Sequence, residues 1–237
     1  MKNQHNTNGF NLNLDTQRFE TIKSYLNGKI CLEVGSAEGH YTKELLKMFR
    51  FVVAIEPNKQ YFKQLSKIKG FRLYKENVTF EDYNITATHM FDSIVVLNVL
   101  EHIEDVDAFL SKMSHFGHSD TTFIFSVPNS ESYHRIMAKE VGLIKHTSVL
   151  GASDKQVGHK RVYSKGMLLK CLESHDFKVL IAFTSVYKPF DNKKMNKLPI
   201  DIKKYCLSKE MPDNGAEIFV ICKKCGKNPH PKKGDRK

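Results

Sequence analysis

A glycine-rich turn after a short apolar run is the first stretch of this sequence whose residues could bind a ligand. Residues 30–34, apolar except for Glu33, predict a short buried strand. Gly35, Ala37 and Gly39 follow this run, and residues 40–50 are predicted to form a helix. Because such a turn carries almost no side chains, a ligand can lie against its backbone N–H groups beside the helix N-terminus. The stretch therefore predicts a nucleotide-binding corner.

The spacing of these residues distinguishes between kinds of nucleotide site. A dinucleotide fingerprint would place glycine or alanine where His40 stands, and the Gly-Lys-Ser/Thr of a phosphate-binding loop does not occur. The pattern that fits is acidic-x-Gly-x-Gly-x-Gly, with Glu33 as the acid and Ala37 replacing the middle glycine. A second apolar run ends in Glu56, whose carboxylate could accept both hydroxyls of a ribose. The alternative is that Glu56 caps the helix after Pro57.

This pattern resembles the first motif of class I S-adenosylmethionine-dependent methyltransferases. The segment 91–110 adds to the resemblance. Asp92 opens an apolar strand that ends at Asn98, and Leu100, Glu101 and His102 follow. It is similar to the "FD…LEH" segment of a broad superfamily of small-molecule methyltransferases, which includes ubiquinone-pathway and sugar-modifying O-methyltransferases. The resemblance implies S-adenosylmethionine as the cofactor, with these candidate binding residues: Glu33, Gly35, Ala37, Gly39, Glu56, Pro57, Thr79, Phe80 and Asn98.

The loop that meets the adenine in such methyltransferases corresponds to 78–83. It often reads Gly-Asp-x-Glu-Asp, whereas Val-Thr replaces Gly-Asp in this chain. The resemblance then implies that the Thr79 hydroxyl, the Phe80 backbone or Glu81 meets the adenine amino group. The alternative is that Phe80 and Tyr83 anchor the loop in the core.

Histidines are the candidates for a general base if the methyl acceptor is a hydroxyl, because a positioned imidazole can take the acceptor's proton. His159 is preferred, since it follows a glycine hinge and precedes two cations that could hold an anionic acceptor. His102 is the second catalytic candidate, although either histidine could be purely structural. The predicted substrate-binding residues are His134, Lys160, Arg161 and Tyr163.

The order of apolar runs predicts an α/β fold with a doubly wound, seven-stranded, mostly parallel sheet, in which strand 7 is antiparallel. The strands are predicted at 30–34, 52–58, 71–74, 94–97, 121–127, 179–186 and 217–222. A helical insertion at 130–163, with one helix running through Ile144, lies where this superfamily usually places a lid. Such a lid would help position the acceptor and exclude water from an in-line methyl transfer. Residues 188–213 suggest a mobile or substrate-facing flap.

Composition and charge limit the possible classes of protein. The 237 residues predict one methyltransferase domain at 15–223, with disordered segments at 1–14 and at the basic 224–237. Five scattered cysteines predict reduced thiols, and Cys222-x-x-Cys225 with His230 lacks the ligands of a zinc site, so no metal is predicted. Without a long apolar run or a signal-peptide pattern, we expect a cytoplasmic protein with no transmembrane segment.

The methyl acceptor is the least constrained part of the prediction. The segments VPNS…GHKRVYS, KPFDNKKM and GAEIFV are similar to bacterial methyltransferases of polysaccharide and nucleotide-sugar pathways, which implies a small anionic acceptor. RNA or protein methylation is an alternative suggested by the net charge of +11, but no RNA-binding module is recognisable. A non-catalytic binding protein of the same fold is a second alternative, against which the intact cofactor motif argues. The oligomeric state is left open, with a homodimer among the possibilities.

Overall fold

A computed structural model describes residues 10–84 and 91–225 as a single mixed sheet flanked by helices. The strands are β1 (Ile30–Val34), β2 (Phe51–Ile55), β3 (Leu73–Glu76), β4 (Phe91–Leu97), β5 (Gly117–Pro128), β6 (Phe177–Ser185), β7 (Glu210–Met211) and β8 (Glu217–Lys224). Their order is β3-β2-β1-β4-β5-β8-β6-β7. Strands β1 to β5 pair in parallel, and β8 runs antiparallel to both of its neighbours.

This topology confirms the predicted α/β fold, including the antiparallel last strand. The two-residue β7, on the edge beside β6, adds an eighth strand to the seven predicted. The helices are α1 (Phe10–Ile22), α2 (His40–Met48), α3 (Lys59–Leu65), α4 (Val106–Phe116), α5 (Tyr133–Glu140), α6 (Ala152–Val157), α7 (Lys165–Glu173), α8 (Asn192–Met195) and α9 (Ile200–Ser208).

Both faces of the central strands are buried, because helices cover each side of the sheet. Leu32 of β1 packs in one apolar cluster together with residues of α4 and α7, while its neighbour Cys31 packs in the other with residues of α1 and α2. Alternate side chains of a strand point to opposite faces, so a strand covered on both sides is apolar along most of its length. The helices thus leave the carboxyl ends of β1, β2 and β4 as the place for polar groups.

Several element boundaries differ from the sequence predictions. Helix α1 begins at Phe10, so residues 10–14, predicted to be disordered, are helical. The predicted single helix of the insertion is wrong, because α5 ends at Glu140 and a second helix, α6, follows. Gly142 at φ +75° turns the chain there. Predictions for 1–9 and 226–237, including His230, lie outside the described residues.

The segment predicted as a flap, 188–213, contains α8, α9 and β7. Its apolar residues Met195 and Leu207 are buried in a small cluster with Leu14 of α1. Helix α1 and this segment therefore pack together on the side of the sheet that carries α2 and α3. Within the described ranges, no helix is long and apolar enough to cross a membrane.

Candidate active site

The glycine turn after β1 lies against the loop that follows β4. Gly35 has φ +77°, and a Cβ atom there would lie 2.5 Å from a methyl carbon of Val99. Gly39 has φ +81°, and a Cβ atom there would lie 2.3 Å from Ile68. Ala37 is also left-handed, at φ +46°, a conformation that costs an L-residue about 1–2 kcal/mol. The two glycines are thus required by backbone conformation and by close packing.

Glu56 holds this turn in place from the end of β2. Its carboxylate accepts hydrogen bonds from the backbone N–H of Ala37 at 2.8 Å and from that of Asn58 at 2.7 Å. The side chain of Asn58 caps α3, so the alternative role of Glu56 as that cap is wrong. Pro57 lies between Glu56 and Asn58 in the sequence and is exposed. Glu56 is therefore a buried acid whose position is fixed on the glycine turn.

Glu33, at the end of β1, is a buried acid with one unused oxygen. Its Oε2 accepts a hydrogen bond of 2.5 Å from the Thr42 hydroxyl, whereas its Oε1 has no hydrogen-bond partner. Burial raises the pKa of Glu33 to about 8, against the lowering effect of the Thr42 hydrogen bond. An orphaned buried carboxylate oxygen suits a ligand that brings a cation or a hydrogen-bond donor.

Asn98 occupies the carboxyl end of β4 with the left-handed φ of +55°. Its Oδ1 lies 2.9 Å from the Ser126 hydroxyl, which is also 3.1 Å from Oε1 of Glu217. The other oxygen of Glu217 accepts a hydrogen bond of 2.6 Å from Arg18 of α1. The Ser126 hydroxyl has one hydrogen to share between two acceptors, so one acceptor in this row of hydrogen bonds stays without a full hydrogen bond. It connects α1 to the topological switch point of the sheet.

The two predicted catalytic histidines come together beside a buried acid. The rings of His102 and His159 meet edge to face with centroids 4.8 Å apart, and His159 Nε2 lies 3.9 Å from Glu101 Oε1. Asp154 Oδ1 lies 3.4 Å from the other ring nitrogen of His159. Glu101 is 1% exposed and neither of its carboxylate oxygens has a hydrogen-bond partner. Burial raises the pKa of Glu101 to about 8.

The two predicted substrate-binding cations, Lys160 and Arg161, both contact Glu104. Lys160 forms an ion pair with the Glu104 carboxylate, and Arg161 donates a hydrogen bond to the Glu104 backbone carbonyl at 2.9 Å. Tyr163 is buried in the core. His134 of α5 is kept neutral, because burial, assisted by neighbouring cations, lowers its pKa to about 3. Lys160 and Arg161 therefore fasten the end of the insertion to the loop after β4.

The predicted adenine loop is a closed turn. The Thr79 hydroxyl is hydrogen-bonded to Asp82 at 2.8 Å, and Phe80 packs against Phe109 and Phe116 in the core. The alternative in which Phe80 and Tyr83 anchor the loop is thus the one that the structure displays. The Phe80 backbone carbonyl accepts a hydrogen bond of 3.2 Å from the Tyr83 N–H.

Lys188, just after β6, is a site residue that sequence reasoning missed. Burial, assisted by the charge of Arg18, lowers its pKa to about 8, against the opposite effect of Asp191, Asp154 and Glu217. Among the side chains that the structure describes, no carboxylate is close enough to form an ion pair with it. The sequence contains no signal for this position, because Lys188 is one of several lysines in its segment. Arg18 and Glu217, 199 positions apart, gave no signal either.

Comparison with known proteins identifies the class. Residues 15–181 match the family model described as "Methyltransferase domain", so the chain belongs to this methyltransferase family. A comparison with curated proteins found no match. Because the family model spans most of the chain, the predicted cofactor, S-adenosylmethionine, and the predicted enzyme class, a methyltransferase, are confirmed.

Solved structures show the same fold at low sequence identity. An S-adenosylmethionine-dependent methyltransferase from Archaeoglobus fulgidus is 16% identical, with a TM-score of 0.60 over 90% of this chain and 94% of that chain. One from Mesorhizobium loti is 12% identical, with a TM-score of 0.62 over 89% and 100%. The N-methyltransferase NodS from Bradyrhizobium japonicum, in complex with S-adenosyl-L-homocysteine, is 12% identical, with a TM-score of 0.56 over 92% and 89%.

Proposed function

We propose that this methyltransferase transfers the methyl group of S-adenosylmethionine to a hydroxyl of a small anionic acceptor, such as a sugar or a nucleotide sugar. The observation that carries the anionic acceptor is Lys188, a partly buried ammonium group without an ion-pair partner within the described ranges. Removing a charge from water without pairing it is unfavourable, so a site that does this is matched to a ligand of opposite charge. The sugar class rests on the sequence resemblance alone.

The cofactor-binding part of the proposal uses the corner formed by β1, β2 and β4. Glu33 offers its orphaned Oε1 to the ammonium group of the cofactor, and Glu56 offers its remaining lone pairs to the ribose hydroxyls. Gly35, Ala37 and Gly39 supply the turn, and Pro57 and Asn98 border it. We keep the backbone of Phe80 as an adenine contact and assign Thr79 to the turn, since its hydroxyl is used by Asp82.

The acceptor part of the proposal lies at the carboxyl end of β4, under the insertion. Val99 touches the glycine turn, and Glu101 and His102 follow it, so the His102–His159 pair lies next to the proposed cofactor corner. The cofactor supplies an electrophilic methyl group on a sulfonium. The residues of this chain have to orient the hydroxyl, exclude water and receive its proton near His159 and His102. His134 and Lys188 would line the acceptor side.

The test compares acceptors of different charge and class. The purified chain is incubated with labelled S-adenosylmethionine and panels of nucleotide sugars, neutral sugars, RNA and protein. We expect methylation of anionic small molecules, and a Lys188→Met variant should raise the acceptor KM with little change in cofactor affinity. Turnover on neutral sugars equal to that on nucleotide sugars, or on RNA or protein alone, would contradict the proposal. Calorimetric titration with S-adenosylmethionine is the control for a non-catalytic scaffold.

A further inference from the structure

We infer that Glu101, His102 and His159 bind a divalent transition-metal ion such as Zn²⁺ or Mn²⁺. One ligand atom from each side chain lies within 4.8 Å of the others. One carboxylate and two imidazoles form a donor set that suits these ions, and it leaves coordination positions open for a substrate oxygen. The sequence pattern gave no sign of this, because His159 lies 57 positions after His102.

The spacing of the three side chains suits an ion bound between them better than hydrogen bonds from one side chain to another. His159 Nε2 and Glu101 Oε1 are 3.9 Å apart, which is too long for a hydrogen bond. Ligand atoms bound at about 2.1 Å to a tetrahedral ion lie roughly 3.4 Å from one another. The cluster therefore has to contract by about 1.4 Å at its widest separation, from 4.8 Å, a shift that side-chain torsions can supply.

The buried carboxylate of Glu101 is the second, independent observation. The side chain is 1% exposed and both of its oxygens lack a hydrogen-bond partner. An isolated carboxylate removed from water is strongly unfavourable unless a cation compensates it. No described lysine or arginine lies within ion-pair distance of it, and its ion-pair contact is with the His159 ring at 3.9 Å. Burial raises its pKa more than the charge of Arg18 and the Asn98 side chain lower it. A bound divalent ion would supply the missing charge.

Acceptor groups face one nitrogen of each ring, as they do in metal-binding histidines. His159 Nδ1 faces Asp154 Oδ1 at 3.4 Å, and Asp154 is itself fixed by Arg135 at 3.1 Å. His102 Nδ1 lies 3.3 Å from the Gly158 carbonyl. Metal-binding histidines characteristically donate their second ring N–H to a carboxylate or a carbonyl, which fixes the tautomer and leaves the other nitrogen for the ion. The backbone bond from Lys160 N to Glu101 O, 2.8 Å, keeps the two segments together.

The catalytic use of the ion rests on the proposed function, whereas its binding does not. An acceptor hydroxyl bound to the ion would lose its proton to solvent at neutral pH, since a divalent cation stabilises the alkoxide. The alkoxide oxygen then forms the bond to the methyl carbon while the carbon–sulfur bond breaks, and its electron pair stays on the sulfur. In this arrangement His102 and His159 act as ligands, and the ion replaces the general base that the proposed function places at these two histidines.

The binding test uses the full chain carrying Cys225→Ser, which removes an exposed competing thiol, after treatment with a chelator. Titration with Co²⁺, followed by its visible absorption, and with Zn²⁺ and Mn²⁺ by calorimetry should show one equivalent bound. His159→Gln should weaken binding at least 100-fold, and Asp154→Asn about 10–100-fold. His159→Cys should recover Zn²⁺ and Co²⁺ binding, because a thiolate is a ligand for both. His146→Ala, a change in an exposed histidine of the same insertion, should bind like the parent.

Two results would overturn the inference. One is a parent protein that binds none of the three ions more tightly than millimolar, which holds whether or not the variants fold. The other is binding that is unchanged in a folded His159→Gln variant. Because both readouts omit S-adenosylmethionine, they are separate from the proposed function. A metal-loaded protein that methylates no acceptor would refute the proposed function and leave the metal site standing, whereas methylation insensitive to chelators would remove the ion from the chemistry.

Discussion

Replacing Glu33 with glutamine should stabilise the protein without cofactor and weaken its binding of S-adenosylmethionine. Glu33 is buried, its Oε1 is unpaired, and its pKa is raised to about 8 from an ordinary value of 4.5. At neutral pH the folded chain therefore has to carry this carboxyl in its protonated form, which the unfolded chain does not require. Glutamine has nearly the same shape as the protonated acid and needs no proton.

The size and the pH dependence of the stabilisation by Glu33→Gln follow from the raised pKa of Glu33. A folded pKa above the unfolded one means that the unfolded chain releases the proton more readily, so the wild-type stability decreases as the pH rises from about 4.5 to about 8. The advantage of Glu33→Gln in the free energy of unfolding should then be about 1 kcal/mol at pH 5 and about 3 kcal/mol at pH 7. Above pH 8 it should level off.

Urea unfolding at pH 5, 6, 7 and 8, without cofactor, measures this advantage directly. Glu173→Gln, a change at an exposed position at the end of α7, is the matched control and should follow the wild type at each pH. Added S-adenosylmethionine should stabilise the wild type more than Glu33→Gln, because the cofactor's ammonium group favours the carboxylate. Equal stability of the wild type and Glu33→Gln at pH 5 and at pH 7 would refute the reasoning, since it would mean that Glu33 is ionised in a solvated site.

Further predictions concern the other groups at this edge of the sheet. Glu56→Ala should weaken cofactor binding by about 1.5–3 kcal/mol in calorimetry, the value of hydrogen bonds to a charged group; an unchanged Kd would remove Glu56 from the ribose site. Arg18→Met should lower the free energy of unfolding by about 3–5 kcal/mol, because it leaves the buried Glu217 without its cation, and Arg18→Met/Glu217→Gln in urea should recover part of that loss. The KM for an anionic acceptor should rise above pH 8, where Lys188 loses its charge, and Lys188→Met should abolish this rise. Deletion of 226–237 should leave turnover on a small acceptor intact, because β8 ends at Lys224. A loss of turnover in the shortened protein would assign the tail to substrate binding.

Sequence reasoning succeeded where the local pattern and the tertiary environment agree. Strand β1 occurs at its predicted residues, 30–34, because a run buried on both faces between two glycines admits few other structures. Glu56 and the glycine turn lie close in sequence to the strands that position them, so their spacing carried the prediction. Helix α1 was more difficult, because its Asn-rich first turn has low helix propensity, and the packing of residues such as Phe19 and Ile22 overrides that preference.

The remaining site residues depend on distances between segments that are far apart in the sequence. Glu101 follows a recognisable strand, but only the return of the chain after the insertion brings His159 to it. Lys160 and Arg161 were predicted as acceptor ligands because they follow His159 in the sequence. In the structure both contact Glu104, Lys160 through the carboxylate and Arg161 through the backbone carbonyl. Lys188 differs from the surrounding lysines only by its burial.

The distribution of buried acids connects these observations. Glu33, Glu101 and Glu217 are each almost fully buried at the carboxyl edge of the sheet, and of the three only Glu217 forms an ion pair with a described arginine or lysine, Arg18. A core that holds two carboxyl groups with unused oxygens is less stable than one that holds glutamines, so folding alone does not account for them. Ligands that bring positive charge account for these two carboxyl groups. Because each such ligand binds the folded chain and not the unfolded one, each adds RT ln(1 + [L]/Kd) to the stability. The cofactor and the proposed metal ion should therefore each raise the Tm, and the metal-dependent rise should persist in Glu33→Gln but disappear in His159→Gln.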